Sequence, residues 1–240
     1  MAFIYGTSGR ILIDEFHVSG DISGYSAKWQ RDNAETTSLL DSGTRGIPGL
    51  MSGSLNVDGS FDSTAGAHLY DITKVNVGVD NSMLVTAWPE GGALGKPAFI
   101  AVCDPSGFEI EASVSDKVSI SIEGTGDDGV DWGYSYHDLT AESVTGNGTG
   151  YDDLPTSVIT SANGGVGMLH VTAATGTGGT VKIQDSADNI TFADIITFTA
   201  TAAATSERKT VTGTVRRYIR SIRTINTTSS LTYGVSFARR

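Results

Sequence analysis

The 240-residue sequence has one cysteine, five prolines and few charges, with Asp, Glu, Lys and Arg together at 18%. A lone thiol, Cys103, excludes an intrachain disulfide, and it reads as a small buried hydrophobe. No apolar run approaches the ~18 residues that span a bilayer. Met1 to Arg10 lacks a basic segment followed by an apolar stretch, so synthesis and folding in a cytoplasm are expected. Helical periodicity is almost missing. Metal-ligand spacing is missing too, because His17, His68, His137 and His170 are scattered and no Cys accompanies them.

What is present is a globular composition, 39% apolar, with 30 glycines. The net charge of −11 is unevenly placed: residues 1–150 carry 7 Lys/Arg against 21 Asp/Glu, whereas residues 151–240 carry 9 against 6. An acidic first part repels polyanions and suits a surface past which DNA slides without sticking. Arg208, Lys209, Arg216, Arg217, Arg220 and Arg223 read as a solvated strand face rather than a nucleic-acid patch.

Period-two alternation marks antiparallel strands with one covered face. Leu55, Val57, Gly59 and Phe61 share a face, with Ser54, Asn56, Asp58 and Ser60 opposite; Phe108, Ile110, Ala112 and Val114 form another apolar row, and Val118, Ile120 and Ile122 a third. Ile11–Val18, Met83–Ala87 and Phe99–Cys103 are rich in β-formers. Ala65, Leu69 and Ile72 instead follow i, i+4, i+7, predicting a short amphipathic helix over Thr64–Lys74 capped by Asp62 or Ser63. Between Asp131 and Pro155 the pattern lapses into Gly, Asn, Thr and Asp, predicting a connection and a boundary near residue 143. Strands resume at Leu169–Ala173, Val181–Ile183, Ile196–Phe198, Val215–Ile222 and Leu231–Phe237, with turns at Gly176–Gly179 and Ser186–Asn189. The expected fold is all-β: a sandwich or barrel-forming domain over 1–143 with one helix, then an Ig-like or jelly-roll-like sandwich over 144–240.

Searches for chemistry assign no catalytic, cofactor or metal residue. Asp127, Asp128 and Asp131 lack the Gly and Glu positions of a calcium loop and read as a solvated turn. Gly146–Gly150 precedes a Pro-interrupted stretch, not a helix that could hold a phosphate, and Gly6–Gly9 lacks the frame of a nucleophile turn. Glu109 and Glu111 share a strand face without a convergent third group, and Trp29, Trp88 and Trp132 read as core or interface residues before they read as stacking platforms.

Asp21–Asp62 carries Thr36-Thr37, then Ile47-Pro48-Gly49-Leu50, Gly53 and Gly59-Ser60-Phe61-Asp62, and resembles the tail tube (major tail) proteins of long-tailed bacteriophages. The segments around Leu169–Thr172, Gln184–Asp188, Phe192–Asp194, Val215–Arg220 and Val235–Arg239 resemble the C-terminal sandwich of some phage tail proteins. The resemblance implies a structural virion protein, made in the bacterial host cytoplasm, that assembles as hexameric rings stacked into a tube. DNA would pass down the lumen without specific binding, with a tape measure protein and a tail terminator as partners. The C-terminal sandwich would sit outside, where a host-surface glycan is a candidate ligand. The loop Leu39, Leu40, Asp41, Ser42, Gly43, Thr44, Arg45, Gly46, Ile47, Pro48, Gly49, Leu50 and Met51 is expected to reach over an adjacent subunit. The rival readings are a carbohydrate- or host-surface-binding sandwich, a head decoration or baseplate protein, and, third, an enzyme.

Overall fold

The structure, a computed structural model, describes residues 8–38, 42–63, 69–76, 78–80, 83–114, 116–154 and 158–240. The fold is all-β. In its first part the strands are β1 (Arg10–Ile13), β2 (Phe16–His17), β3 (Ile22–Glu35), β4 (Gly46–Ser60), β5 (Met83–Trp88), β6 (Pro97–Glu111) and β7 (Ser119–Glu142), with the helix α1 (Leu69–Asn76) between β4 and β5. There follow β8 (Gly146–Asn147), β9 (Tyr151–Asp152), β10 (Thr160–Ser161), β11 (Gly165–Thr175), β12 (Gly179–Ser186), β13 (Phe192–Thr197), β14 (Thr205–Val211), β15 (Val215–Arg216), β16 (Tyr218–Ile225) and β17 (Ser230–Arg239).

β7 organises the molecule. One of its edges pairs with β6 from Ser119 to Tyr134; the other takes β4 at Ser119–Thr125 and β17 at Tyr134–Glu142. Outward from these lie β3 beyond β4, β5, β1 and β2 beyond β6, and β11 and β14 beyond β17, all antiparallel. A second sheet, β13-β12-β16 with β8 and β9 on the far edge of β16, packs on the β11–β17 portion. The predicted connection over Asp131–Pro155 is therefore wrong in its first half. Asp131–Glu142 is strand because β17 supplies it with a ladder partner, and its aromatics, Tyr134 and Tyr136, pack into the second apolar cluster.

Two large apolar clusters form. The first unites Ile11, Ile13, Leu55, Val57, Val85, Phe99, Ile120 and Ile122 inside the curl of β1 to β7. Leu69 and Ile72 of α1 are buried in it, and Phe61 meets Tyr70 edge-on at 5.0 Å. The helix thus lies where its apolar spacing predicts, although Thr64–His68 fall outside the described residues. The second cluster lies between β11–β17 and the second sheet, around Leu169, Ile183, Phe198, Ile219, Tyr233 and Phe237.

β11 and β17 are covered on both faces. Leu231, Tyr233, Val235 and Phe237 enter the second cluster, while Gly234, Ser236 and Ala238 face the first part of the chain. The indole of the buried Trp88 donates to Ser236 Oγ at 2.8 Å, and a Cβ on Gly234 would lie 2.5 Å from the Trp88 ring. Small residues on that row let the two parts approach closely. The apolar-polar alternation that predicts a wet face here marks a second buried one.

A polar junction fastens the same contact. His170 of β11 is fully buried; its Nδ1 donates to the Asp14 carbonyl at 2.6 Å and its Nε2 lies 2.8 Å from Thr86 Oγ1. Asp14, in the β1–β2 turn with φ of 51°, accepts from the Leu84 N–H and from Asn76 Nδ2, both at 2.9 Å. Burial pushes the Asp14 carboxyl up to about 6 and the His170 imidazole down to about 4. The Cys103 thiol, also buried, is pushed up to about 12.

Candidate assembly interface

β3 and β4 form a long hairpin. From Ser54 to Ser60 β4 is backed by β7, but from Gly46 to Ser52 it pairs only with β3, so the tip projects beyond the sheet. Two glycines of the tail-tube-like motif have local reasons. A Cβ on Gly53 would lie 2.1 Å from Val130 Cγ2, and one on Gly59 would lie 2.7 Å from the Asp21 carbonyl, which already accepts from the Ser60 N–H at 2.8 Å. Thr36 and Thr37 close the tip: the Thr36 N–H donates to the Arg45 carbonyl at 2.9 Å, and the Arg45 N–H donates to Thr37 Oγ1 at 3.0 Å.

The loop expected over 39–51 is shorter than that. Gly46–Met51 belong to β4, because Ile47 and Pro48 find register partners in Ala34 and Asn33. Ser42, Gly43, Thr44 and Arg45 form the exposed tip, with Gly46, Ile47 and Gly49 exposed beside it, and Leu39, Leu40 and Asp41 fall outside the described residues.

Below the tip, β3, β4, β7 and the distal half of β6 make a four-stranded antiparallel sheet. Among the described residues β3 pairs only with β4, and Asp104–Glu111 of β6 only with β7, since β5 ends at the Met83–Cys103 pair. Both outer strands therefore present an open edge, a feature that soluble proteins usually blunt or cover. The registers also sort the side chains. Tyr25, Ala27, Leu55, Val57, Ile120 and Ile122 point to the core, with Phe108 and Ile110 on the same face. Asp58, Glu109, Glu111 and Glu123 share the other, with Ser26, Asn56 and Ser121 between them.

Among the described residues, the apolar row led by Phe108 and Ile110 is not covered. Phe108 is 46% and Ile110 41% exposed, and Ala112 and Val114 are exposed as well. The alternation is real, but this end of β6 runs past the last strand that could cover it. Trp29, 46% exposed, continues the inward row of β3 beyond the core, and Trp132, 44% exposed, stands edge-on to Phe99 at 5.4 Å. Trp88 alone of the three tryptophans is core.

The remaining charged residues that sequence singles out are mostly spoken for. Asp131 is no turn residue: it lies in β7, within 2.9 Å of Arg240, and the neighbouring Asp128–Gly129 is the extra pair that makes a bulge against Ala101–Val102. The expected solvated basic face is largely an ion-pair network, with Arg216 on Asp185, Arg217 on Asp152 and Arg223 on Glu142. Arg220 lies 3.8 Å over the Phe192 ring and donates to Gln184 at 2.8 Å. Sequence spacing misses the strongest of these clusters. Arg239 reaches Asp153, which is almost fully buried and also accepts from Tyr136, and donates to the carbonyls of Val215, Arg216 and Arg217. Phe198, Tyr233 and Phe237 are buried and Tyr151 packs on Tyr134, so these rings present no open face for a sugar to stack on. Among the described residues no group of His, Cys, Asp and Glu is gathered to hold a metal ion.

These features define a strand-built chain in which, among the described residues, the outer strands of the four-stranded sheet have unpaired edges. No family model and no curated protein matches it. Its neighbours among solved structures are tail and virion components. It is similar to a chain in the virion of a native gene transfer agent particle, with 11% identity, a TM-score of 0.42, and coverage of 54% of this chain and 98% of that one. It is similar to the SPP1 tail tube, with 11% identity, a TM-score of 0.43, and coverage of 54% and 78%. With 8% identity and a TM-score of 0.38, it also covers 99% of the SPP1 Dit protein, a hub of the adsorption apparatus of phages that infect Gram-positive bacteria, over 96% of its own length. With TM-scores this low, residue roles rest on the chain's own edges and faces.

Proposed function

We propose that the chain is a structural subunit of a phage tail that polymerises into a tube, with the four-stranded sheet β3-β4-β7-β6 as its building block. The observation that carries this reading is the pair of open edges at opposite ends of that sheet. Because the number of strands is even, β3 and β6 run in opposite directions, so β6 of one copy can join β3 of the next and continue the antiparallel pattern. Such a contact is heterologous, and repeated rotation closes it into a ring without edges.

Six copies of four strands would give a 24-strand barrel. At about 4.8 Å per strand its backbone circumference is roughly 115 Å, a diameter of about 37 Å before strand tilt widens it. Asp58, Glu109, Glu111 and Glu123 lie together on the face away from the core, which we assign to the lumen, where they repel DNA phosphate and keep the genome from adhering. Stacked rings would lengthen the tube, the 39–51 segment reaching a neighbouring subunit, and the tape measure and terminator proteins would act at its ends. Residues 1–143 and 144–240 are proposed as the two units, the second on the tube's exterior.

Negative-stain electron microscopy of the purified chain, with light-scattering mass across a concentration series, tests this. Hollow tubes or stacked rings are expected; a monomer persisting at high concentration overturns it.

A further inference from the structure

Beside the open edge of β3 runs a groove of about 770 Å³, between β3 and the strands on the other side of the curl. Ile22, Tyr25 and Ala27 of β3 line one wall, and Trp132 and Glu90 the other. It exists because the curled sheet does not close. β3 pairs only with β4 among the described residues, and Trp132 lies past the end of the β4–β7 ladder. The wall is mixed, with Ile22, Tyr25, Ala27 and Pro89 beside Ser19, Ser23 and Glu90, and the Trp132 ring is partly open to it. At the opposite end of the four-stranded sheet, Phe108 and Ile110 project at the open edge, nearly half exposed among the described residues, on the same sheet face as Tyr25 and Ala27.

We infer that the groove is the seat for Phe108 and Ile110 of a second copy of this chain, so that these two side chains act as plugs specifying which edge joins which. The inference rests on the edge-to-edge ring proposed above and adds to it the residues that make the joint selective. When β6 of one copy lies along β3 of the next, the faces of the two sheets become continuous. Side chains on the core face of β6 then project toward the core face of β3, where the groove opens. Each plug would leave water for the Tyr25, Ala27 and Trp132 side of the groove, and the acidic row Glu109 and Glu111, alternating with the plugs, would stay on the far face. Backbone pairing alone would let the joint slip along the edge. A plug and a seat on one face fix the register, since a one-residue slip turns Phe108 and Ile110 to the wrong side.

Disulfide trapping in the full-length chain tests this. Ile110→Cys is combined in turn with Tyr25→Cys, Ala27→Cys and, as the opposite-face control, Ser26→Cys; the buried Cys103 is out of reach. After oxidation under assembling conditions, a ladder of covalent multimers is expected with Tyr25→Cys or Ala27→Cys and not with Ser26→Cys. In parallel, Phe108→Ser with Ile110→Ser should raise the concentration needed for assembly about ten-fold or more and leave the monomer's Tm unchanged, because both side chains are exposed in the single chain. Rings or tubes seen by microscopy with no core-face ladder, or with assembly unaffected by the double serine variant, overturn the plug while leaving edge pairing standing. Absence of both assemblies and ladders overturns the two together.

Discussion

Asp14 and His170 meet at one junction and respond to acid in opposite senses. His170 has a folded pKa of about 4 against an ordinary 6.5, so the unfolded chain binds the extra proton and stability is lost as pH falls from 6.5 towards 4. Asp14 has a folded value of about 6 against 3.8, so the folded chain binds the extra proton and stability is gained as pH falls from 6 towards 3.8. Each effect is on the order of 3 kcal/mol, and across their shared window they largely offset. Asp14→Asn should expose the His170 response: a Tm measured from pH 7 to 4 should fall more steeply in the variant than in the parent. Gly53 offers a steric counterpart. Gly53→Val forces a side chain against Val130 and should cost about 1–3 kcal/mol in a denaturant titration, with Gly53→Ala intermediate. Arg239→Met leaves the carboxylate of Asp153 buried without its cation and should cost about 3–5 kcal/mol by the same measurement.

Among the elements, the β3–β4 hairpin would separate folding from assembly in the proposed tube. The described residues of its tip contribute to neither apolar cluster, so removing residues 41–47 should leave the monomer's melting transition in place while abolishing or shortening tubes in electron micrographs. Tubes of normal length from the deleted chain would remove the tip from the interface. Strand alternation was legible wherever one face is wet, as in Leu55–Phe61, and the helix was legible from Leu69 and Ile72. Three elements were not. The last part of β7 is a strand through partners distant in sequence; Trp132, Tyr134 and Tyr136 alternate there, but the Gly and Asp residues around them read as a connection. The second buried face of β17 is built from Gly234, Ser236 and Ala238, which in isolation look solvated. Phe108 and Ile110 alternate as a covered row should, and only the early end of β5 shows them open. Of the interface, the sequence motif located the hairpin, but the open edges depend on which strands stop where.

For the molecule as a whole, charge placement on the four-stranded sheet would govern contact with nucleic acid in the proposed tube. Glu109→Lys with Glu111→Lys converts part of the proposed lumen face from repelling phosphate to attracting it. At low salt the assembled variant should retain DNA that the parent releases, with retention fading as salt rises. Equal retention by the two would move these carboxylates out of the lumen. β7 has a different consequence at this scale. Its 24 residues, roughly 80 Å at about 3.3 Å each, run from the four-stranded sheet to the contact with β17. A pull on the C-terminal part along this strand would load the β6 and β17 ladders in shear, many hydrogen bonds at once, instead of peeling them one by one. In the proposed tube the strand would serve as a beam between the inner wall and the outer unit, and bending the tube would swing the outer units with the wall.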